Sequence, residues 1–91
     1  MIQTHFTYIL KSLKDGSFYI GSTSDLKKRI VFHNQGLSTY TSSKMPWVIV
    51  YFEAFDSINE AMKREYFLKQ QRNRAFYQRL ADNFNINIED F

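Results

Sequence analysis

Two short runs rich in β-branched and aromatic residues, Phe6–Leu10 and Phe18–Gly21, flank a polar break that holds Asp15-Gly16. That pattern predicts a β-hairpin. Alternation gives Thr7, Ile9 and Ile20 to one face of the sheet and Tyr8, Leu10 and Tyr19 to the other. Two registers stand. A loop of Ser12 to Asp15 pairs Lys11 with Gly16 and sets Tyr8 opposite Tyr19, whereas a two-residue Asp15-Gly16 turn sets Tyr8 opposite Thr23. The first is preferred because it gathers two phenols beside Gly21, which has no side chain to block the space above it.

The period then changes. Ser22-Thr23-Ser24-Asp25 supplies N-cap candidates for a helix over Leu26–Gln35, closed by Gly36. Leu26, Ile30 and His33 share a stripe, with Arg29 on the same side and Lys27 and Lys28 turned to solvent. Gly36 to Pro46 has no apolar period and reads as a hydroxyl-rich loop, either a plain connector or a grip for phosphates through Thr41, Lys44 and their neighbours. Trp47–Phe55 is apolar on both faces, as expected for a central strand. Ser57-Ile58-Asn59-Glu60 is a capping box opening a helix to about Gln71, with Ile58, Ala61, Met62 and Leu68 as its buried stripe. Glu65 lies on that stripe, where a carboxylate is costly unless it is paired or holds a metal. Asn73 caps a last helix, Arg74 to Asn83, packing through Phe76, Tyr77, Leu80 and Phe84, and a short lead-in (Met1 to His5) and tail (85–91) complete the chain.

The expected fold is α+β, a small three-stranded antiparallel sheet flanked by helices in the order β-β-α-β-α-α. It forms one domain over 1–91, with a core of about 6–70, an extra helix at 73–83 and a tail at 85–91. Sixteen aromatics compensate for the limited burial open to 91 residues. The absence of cysteine excludes disulfide-linked partners, thiolate metal sites and thiol catalysis, and fits a reducing cytoplasm. No apolar run approaches a membrane span, so no membrane partner is expected. The net charge of +3 is unevenly placed: residues 1–46 carry six Lys/Arg against two acids, and residues 47–91 six against seven. A basic first half favours a polyanion such as nucleic acid.

Tyr8, Tyr19, Arg29, His33 and Glu65 are groups that a metal-assisted phosphodiesterase needs. A carboxylate can hold a hard divalent cation, a guanidinium can take two phosphate oxygens, and nearby cations favour a phenolate. The chain resembles the GIY-YIG nuclease superfamily, in particular its small single-domain bacterial members, over about residues 6–70. Tyr19-Ile20-Gly21 matches the second signature literally, while Phe6-Thr7-Tyr8 stands in place of the first. Asp25-Leu26-x-x-Arg29, His33-Asn34-x-Gly36, Pro46-Trp47 and Ala61-Met62-Lys63-Arg64-Glu65-x-x-x-Lys69 follow in the same order.

The resemblance implies a metal-dependent endonuclease acting on DNA rather than RNA, structure-selective or weakly sequence-specific, with DNA repair as its setting. Tyr8 is implied to be general base or water-positioning group, Tyr19 to orient water or substrate, and Arg29 to stabilise the transition state. His33 is implied to tune the tyrosine or the phosphate, and Glu65 to be the lone protein ligand of one Mg²⁺ or Mn²⁺ ion. Gly21, Lys27, Lys28, Asn34, Thr41, Lys44 and Lys69 are the expected substrate contacts. The alternative is a non-catalytic nucleic-acid-binding module with the same fold.

Overall fold

The computed structural model describes residues 4–84; the expectations for Met1–Gln3 and for the tail 85–91 lie outside the described residues. The hairpin is β1 (His5–Ser12) and β2 (Phe18–Thr23), followed by α1 (Leu26–Asn34), a short 3₁₀ turn (Ser42–Lys44), β3 (Trp47–Phe55), α2 (Ile58–Gln71) and α3 (Arg74–Asp82). The sheet is antiparallel, in the order β2-β1-β3.

Each helix begins on a side chain that satisfies an orphan amide. Asp25 accepts from the Lys28 N–H, Ser57 from that of Glu60 and Asn73 from that of Phe76. Past the end of α1, Gly36 takes a φ of +75°, and its N–H reaches the His33 carbonyl. A residue with a Cβ resists that conformation.

The period-two reading of the faces survives in three dimensions. Tyr8, Leu10, Leu26 and Trp47 form a core beneath α1, with Tyr19 and Ile30 packed against it. Ile9, Ile20, Leu68 and Tyr77 form a second core under α2 and α3. Thr7, fully buried, donates its hydroxyl proton to the Ala61 carbonyl on α2. Farther along the same face, Glu53 of β3 accepts from both Tyr51 and Arg64, which ties α2 to the sheet.

Three expectations need correction. Neither anticipated hairpin register forms: Tyr8 pairs with Gly21 and Leu10 with Tyr19. The Ser12 hydroxyl, buried at the end of β1, accepts from the Lys14 and Asp15 amides, and the Ser12 N–H donates to Ser17. The loop therefore closes around Leu13–Gly16, one residue later than expected. A two-residue slide in pairing keeps both phenols on one face but sets them on a diagonal.

The strand apolar on both faces, β3, is an edge strand, and β1 is central. Its two-sided hydrophobicity reports the helices that cover it, not its place in the sheet. A bulge beside Ile9 and Leu10 also lets Val50 and Tyr51 both join the core under α2 and α3. On α2, Ala61 and Leu68 are buried, but Ile58 and Met62 are exposed. The contact arc is narrower than the apolar stripe and centres on Ala61, Glu65 and Leu68.

Candidate active site

Tyr8 is 1% exposed, and its ring lies across Gly21 of β2. A Cβ at that glycine would stand 2.5 Å from the phenolic oxygen and 2.7 Å from its ring carbon. Gly21 thus makes room for the Tyr8 ring, a structural role besides its expected substrate contact. Gly21→Ala is expected to cost about 2 kcal/mol through this overpacking, read as a lower urea midpoint. An unchanged midpoint would contradict the close approach.

Around Tyr8 the other groups gather from three elements. The Tyr8 and Tyr19 ring centres are 6.5 Å apart, and Tyr19 stands 5.0 Å from the His33 ring and 6.2 Å from that of Trp47. His33, fully buried, places Nε2 3.2 Å from the Tyr8 oxygen and Nδ1 2.8 Å from the Thr41 hydroxyl. Arg29 lies over the Phe32 ring at 4.5 Å, and its guanidinium meets both phenols; polar contact with Tyr8 is the main cause that raises its pKa. Its Nε is buried with no hydrogen-bond partner among the described residues.

Glu65 projects from α2 with its side chain 21% exposed, and its charge is felt at Tyr8, where it pushes the phenol pKa upward. Its carboxylate holds the Lys69 ammonium at 2.6 Å, one turn along the helix.

The electrostatics correct one expectation about the chemistry. Burial raises the Tyr8 pKa to about 12, against the opposing pull of Arg29. At neutral pH such a phenol is ionised in about one molecule in 10⁵. The nearby cation does not produce a phenolate in the free protein, because desolvation wins. His33 moves the other way: burial first, then Arg29, lowers its pKa to about 4, so the imidazole is neutral.

Several expected substrate contacts are otherwise engaged. Thr41 is fully buried, bonded to His33 through its hydroxyl and to the Trp47 indole through its carbonyl. Asn34 spends its amide on the backbone N–H and carbonyl of Trp47, joining the end of α1 to the start of β3. Lys44 reaches Asp15 and Ser17 in the hairpin turn. Thr41 and Asn34 are thus committed to structural partners, whereas the Lys44 side chain keeps 40% of its surface exposed. Lys27 and Lys28 are exposed on α1, and Lys69 is exposed on α2. Sequence reasoning missed Thr41 as the partner that orients His33, and Tyr40, 73% exposed with its ring 5.9 Å from that of Tyr19. The hydroxyl-rich loop was the available signal for both.

The donor set also bears on a metal. Among the described residues no group of three or more His, Cys, Asp or Glu is placed to enclose an ion. A partly shielded carboxylate that already holds a cation fits a hard divalent ion that keeps most of its waters. It does not fit a structural transition metal.

Two phenols, a guanidinium and a carboxylate around one sheet are the framework of a nuclease-type domain. A family model described as the GIY-YIG catalytic domain matches residues 4–80, and the chain belongs to that family. Its relatives include small proteins named UPF0213. The one from Staphylococcus saprophyticus is 48% identical over 66 residues, spanning 71% of this chain and 79% of its own. The one from Streptococcus pneumoniae is 34% identical over 84 residues, spanning 91% and 84%. The solution NMR structure of the UPF0213 protein from Bacillus halodurans superposes with a TM-score of 0.54 at 38% identity, covering 88% of this chain and 85% of that one. Membership implies contact with nucleic acid. No helix among the described residues is long and apolar enough to cross a membrane.

Proposed function

We propose that the protein is a metal-dependent endonuclease that hydrolyses DNA phosphodiester bonds, structure-selective or weakly sequence-specific. The observation that carries this reading is the Arg29 guanidinium beside both phenols, with the Glu65 charge acting on Tyr8. Such a group can take a phosphate oxygen as charge builds on it. Glu65 would hold the Mg²⁺ or Mn²⁺ ion, which when bound offsets phosphate charge and acidifies its water.

The phenol acts by position, not as a preformed base. With the Arg29 charge acting on the Tyr8 oxygen, the Tyr8 O–H would donate to His33 Nε2, and the His33 proton would then sit on Nδ1 and face Thr41. Tyr8 keeps a lone pair for a proton of the attacking water and aims that water at phosphorus, while Tyr19 completes the orientation. Lys27 and Lys28 on exposed α1, and Lys69 on α2, meet the strand's phosphates. No recognition helix or zinc finger accompanies this site among the described residues, which favours backbone and shape readout, with strong salt dependence.

The test is a cleavage screen over single-stranded, duplex, flapped and branched DNA in Mg²⁺, Mn²⁺ or EDTA. Cleavage of at least one substrate only with metal is expected. DNA binding with no cleavage in either metal would favour the second reading, a non-catalytic nucleic-acid-binding module. That reading draws on the Glu65–Lys69 pair, in which the ammonium already occupies the carboxylate.

A further inference from the structure

Beside the candidate active site lies a cavity of about 540 Å³ that shares Tyr19 with it. The volume falls within the roughly 300–1,000 Å³ of ligand pockets. Its floor is apolar, from Phe18, Ile20 and Tyr77, and its rim carries Tyr40, Lys69 and Arg72. None of the chemistry assigned above uses Tyr40 or Arg72.

Both rim residues are set for contact with something outside the fold. Tyr40 is the most exposed of the large hydrophobic side chains described, at 73%, yet its ring rests against Tyr19 instead of standing free. A ring held at one edge with an open face is a stacking platform at low entropic cost. Arg72 ends α2 in the left-handed conformation, with φ 44° and ψ 44°, a position that glycine fills with less strain. The fold holds it there through the Tyr77 hydroxyl, which accepts from the Arg72 N–H and donates to the Leu68 carbonyl. Among the described residues the Arg72 guanidinium has no hydrogen-bond or carboxylate partner. A cation on a strained backbone, without such a partner among the described residues, and an aromatic ring on the same rim match the two halves of a nucleotide.

We infer that this cavity is a nucleotide subsite: the base of the residue next to the scissile phosphate stacks on Tyr40, and that nucleotide's phosphate is held by Arg72. The inference rests on the nuclease reading for the position of the scissile bond, but the subsite binds without metal or turnover. Lys69 stands between the two sites, its ammonium on Glu65 and its side chain on the cavity rim.

The experiment is fluorescence anisotropy in EDTA at low and moderate salt. The probes are a labelled oligothymidylate and an oligomer of equal length made only of abasic sites. The wild-type protein is expected to bind the thymidylate about tenfold more tightly, a factor within the range for one stacked base. Tyr40→Ala should erase that preference and leave the abasic affinity unchanged. Arg72→Gly suits the left-handed backbone, so it should fold at least as well. It should weaken both probes alike and reduce the salt slope by about one phosphate contact. A base preference that survives Tyr40→Ala, or a salt slope unchanged in Arg72→Gly, overturns the subsite. Base-dependent binding without cleavage in any metal would overturn the nuclease reading and leave the subsite standing. Cleavage with no role for Tyr40 or Arg72 would do the reverse.

Discussion

Glu65→Gln is expected to lower metal-dependent cleavage by about a thousandfold or more while moving the melting temperature by no more than a few degrees. Glutamine keeps the volume and removes the charge. If the carboxylate holds the ion, its loss removes several kcal/mol of charge stabilisation, and about 4 kcal/mol is a factor of about 10³ in rate. The structural cost is small by contrast. The Glu65–Lys69 pair is a partly exposed contact one turn apart on a helix, worth well under about 1 kcal/mol. Single-turnover cleavage at saturating DNA, set beside a thermal melt, separates the two effects. A variant that cleaves at the wild-type rate would show that the metal, if used, sits elsewhere. A variant that loses both activity and several kcal/mol of stability would make Glu65 a structural residue.

The same carboxylate shows how far the chain could be read in advance. Glu65 stood out because it interrupts an apolar stripe, and the fold sets it between Ala61 and Leu68. The caps Asp25, Ser57 and Asn73 were legible because short polar side chains before a helical period have one good use. The faces of the hairpin followed from alternation, since a period of two survives any even slide.

What alternation could not fix is the slide itself. The register depends on Ser12 turning its hydroxyl back to the loop amides, a contact of one side chain with backbone two and three residues away. The central place of β1 was hidden for a related reason: hydrophobicity on both faces counts covering layers and says nothing of strand neighbours. Thr41 illustrates a third limit. In sequence it is one hydroxyl among many in a polar loop, and only the return of that loop beneath Trp47 buries it against His33. The order of motifs marked which residues the fold brings near Tyr8, and packing decided which of them are buried against one another.

Acid is expected to unfold this protein earlier than its carboxylates alone require, because of His33. Its folded pKa of about 4 lies below its unfolded value of 6.5. Between those values the unfolded chain binds the extra proton. The contribution is therefore fully present above about pH 6.5 and is lost as pH falls toward 4. The size follows from a shift of this order in a side chain with no exposed surface, up to roughly 3 kcal/mol. Two causes act in the same direction. The buried ring loses the hydration an imidazolium needs, and Arg29 already places a positive charge against it. In the proposed arrangement, charging the ring also removes the Nε2 lone pair that would receive the Tyr8 proton. Urea midpoints at pH 7, 5.5 and 4 for wild type and His33→Gln test this. The wild-type protein should lose stability more steeply over that interval. Parallel curves would mean that the imidazole is no harder to protonate in the fold than in the open chain. In that case the neutral acceptor on which the positioning of Tyr8 depends would not be secured by burial.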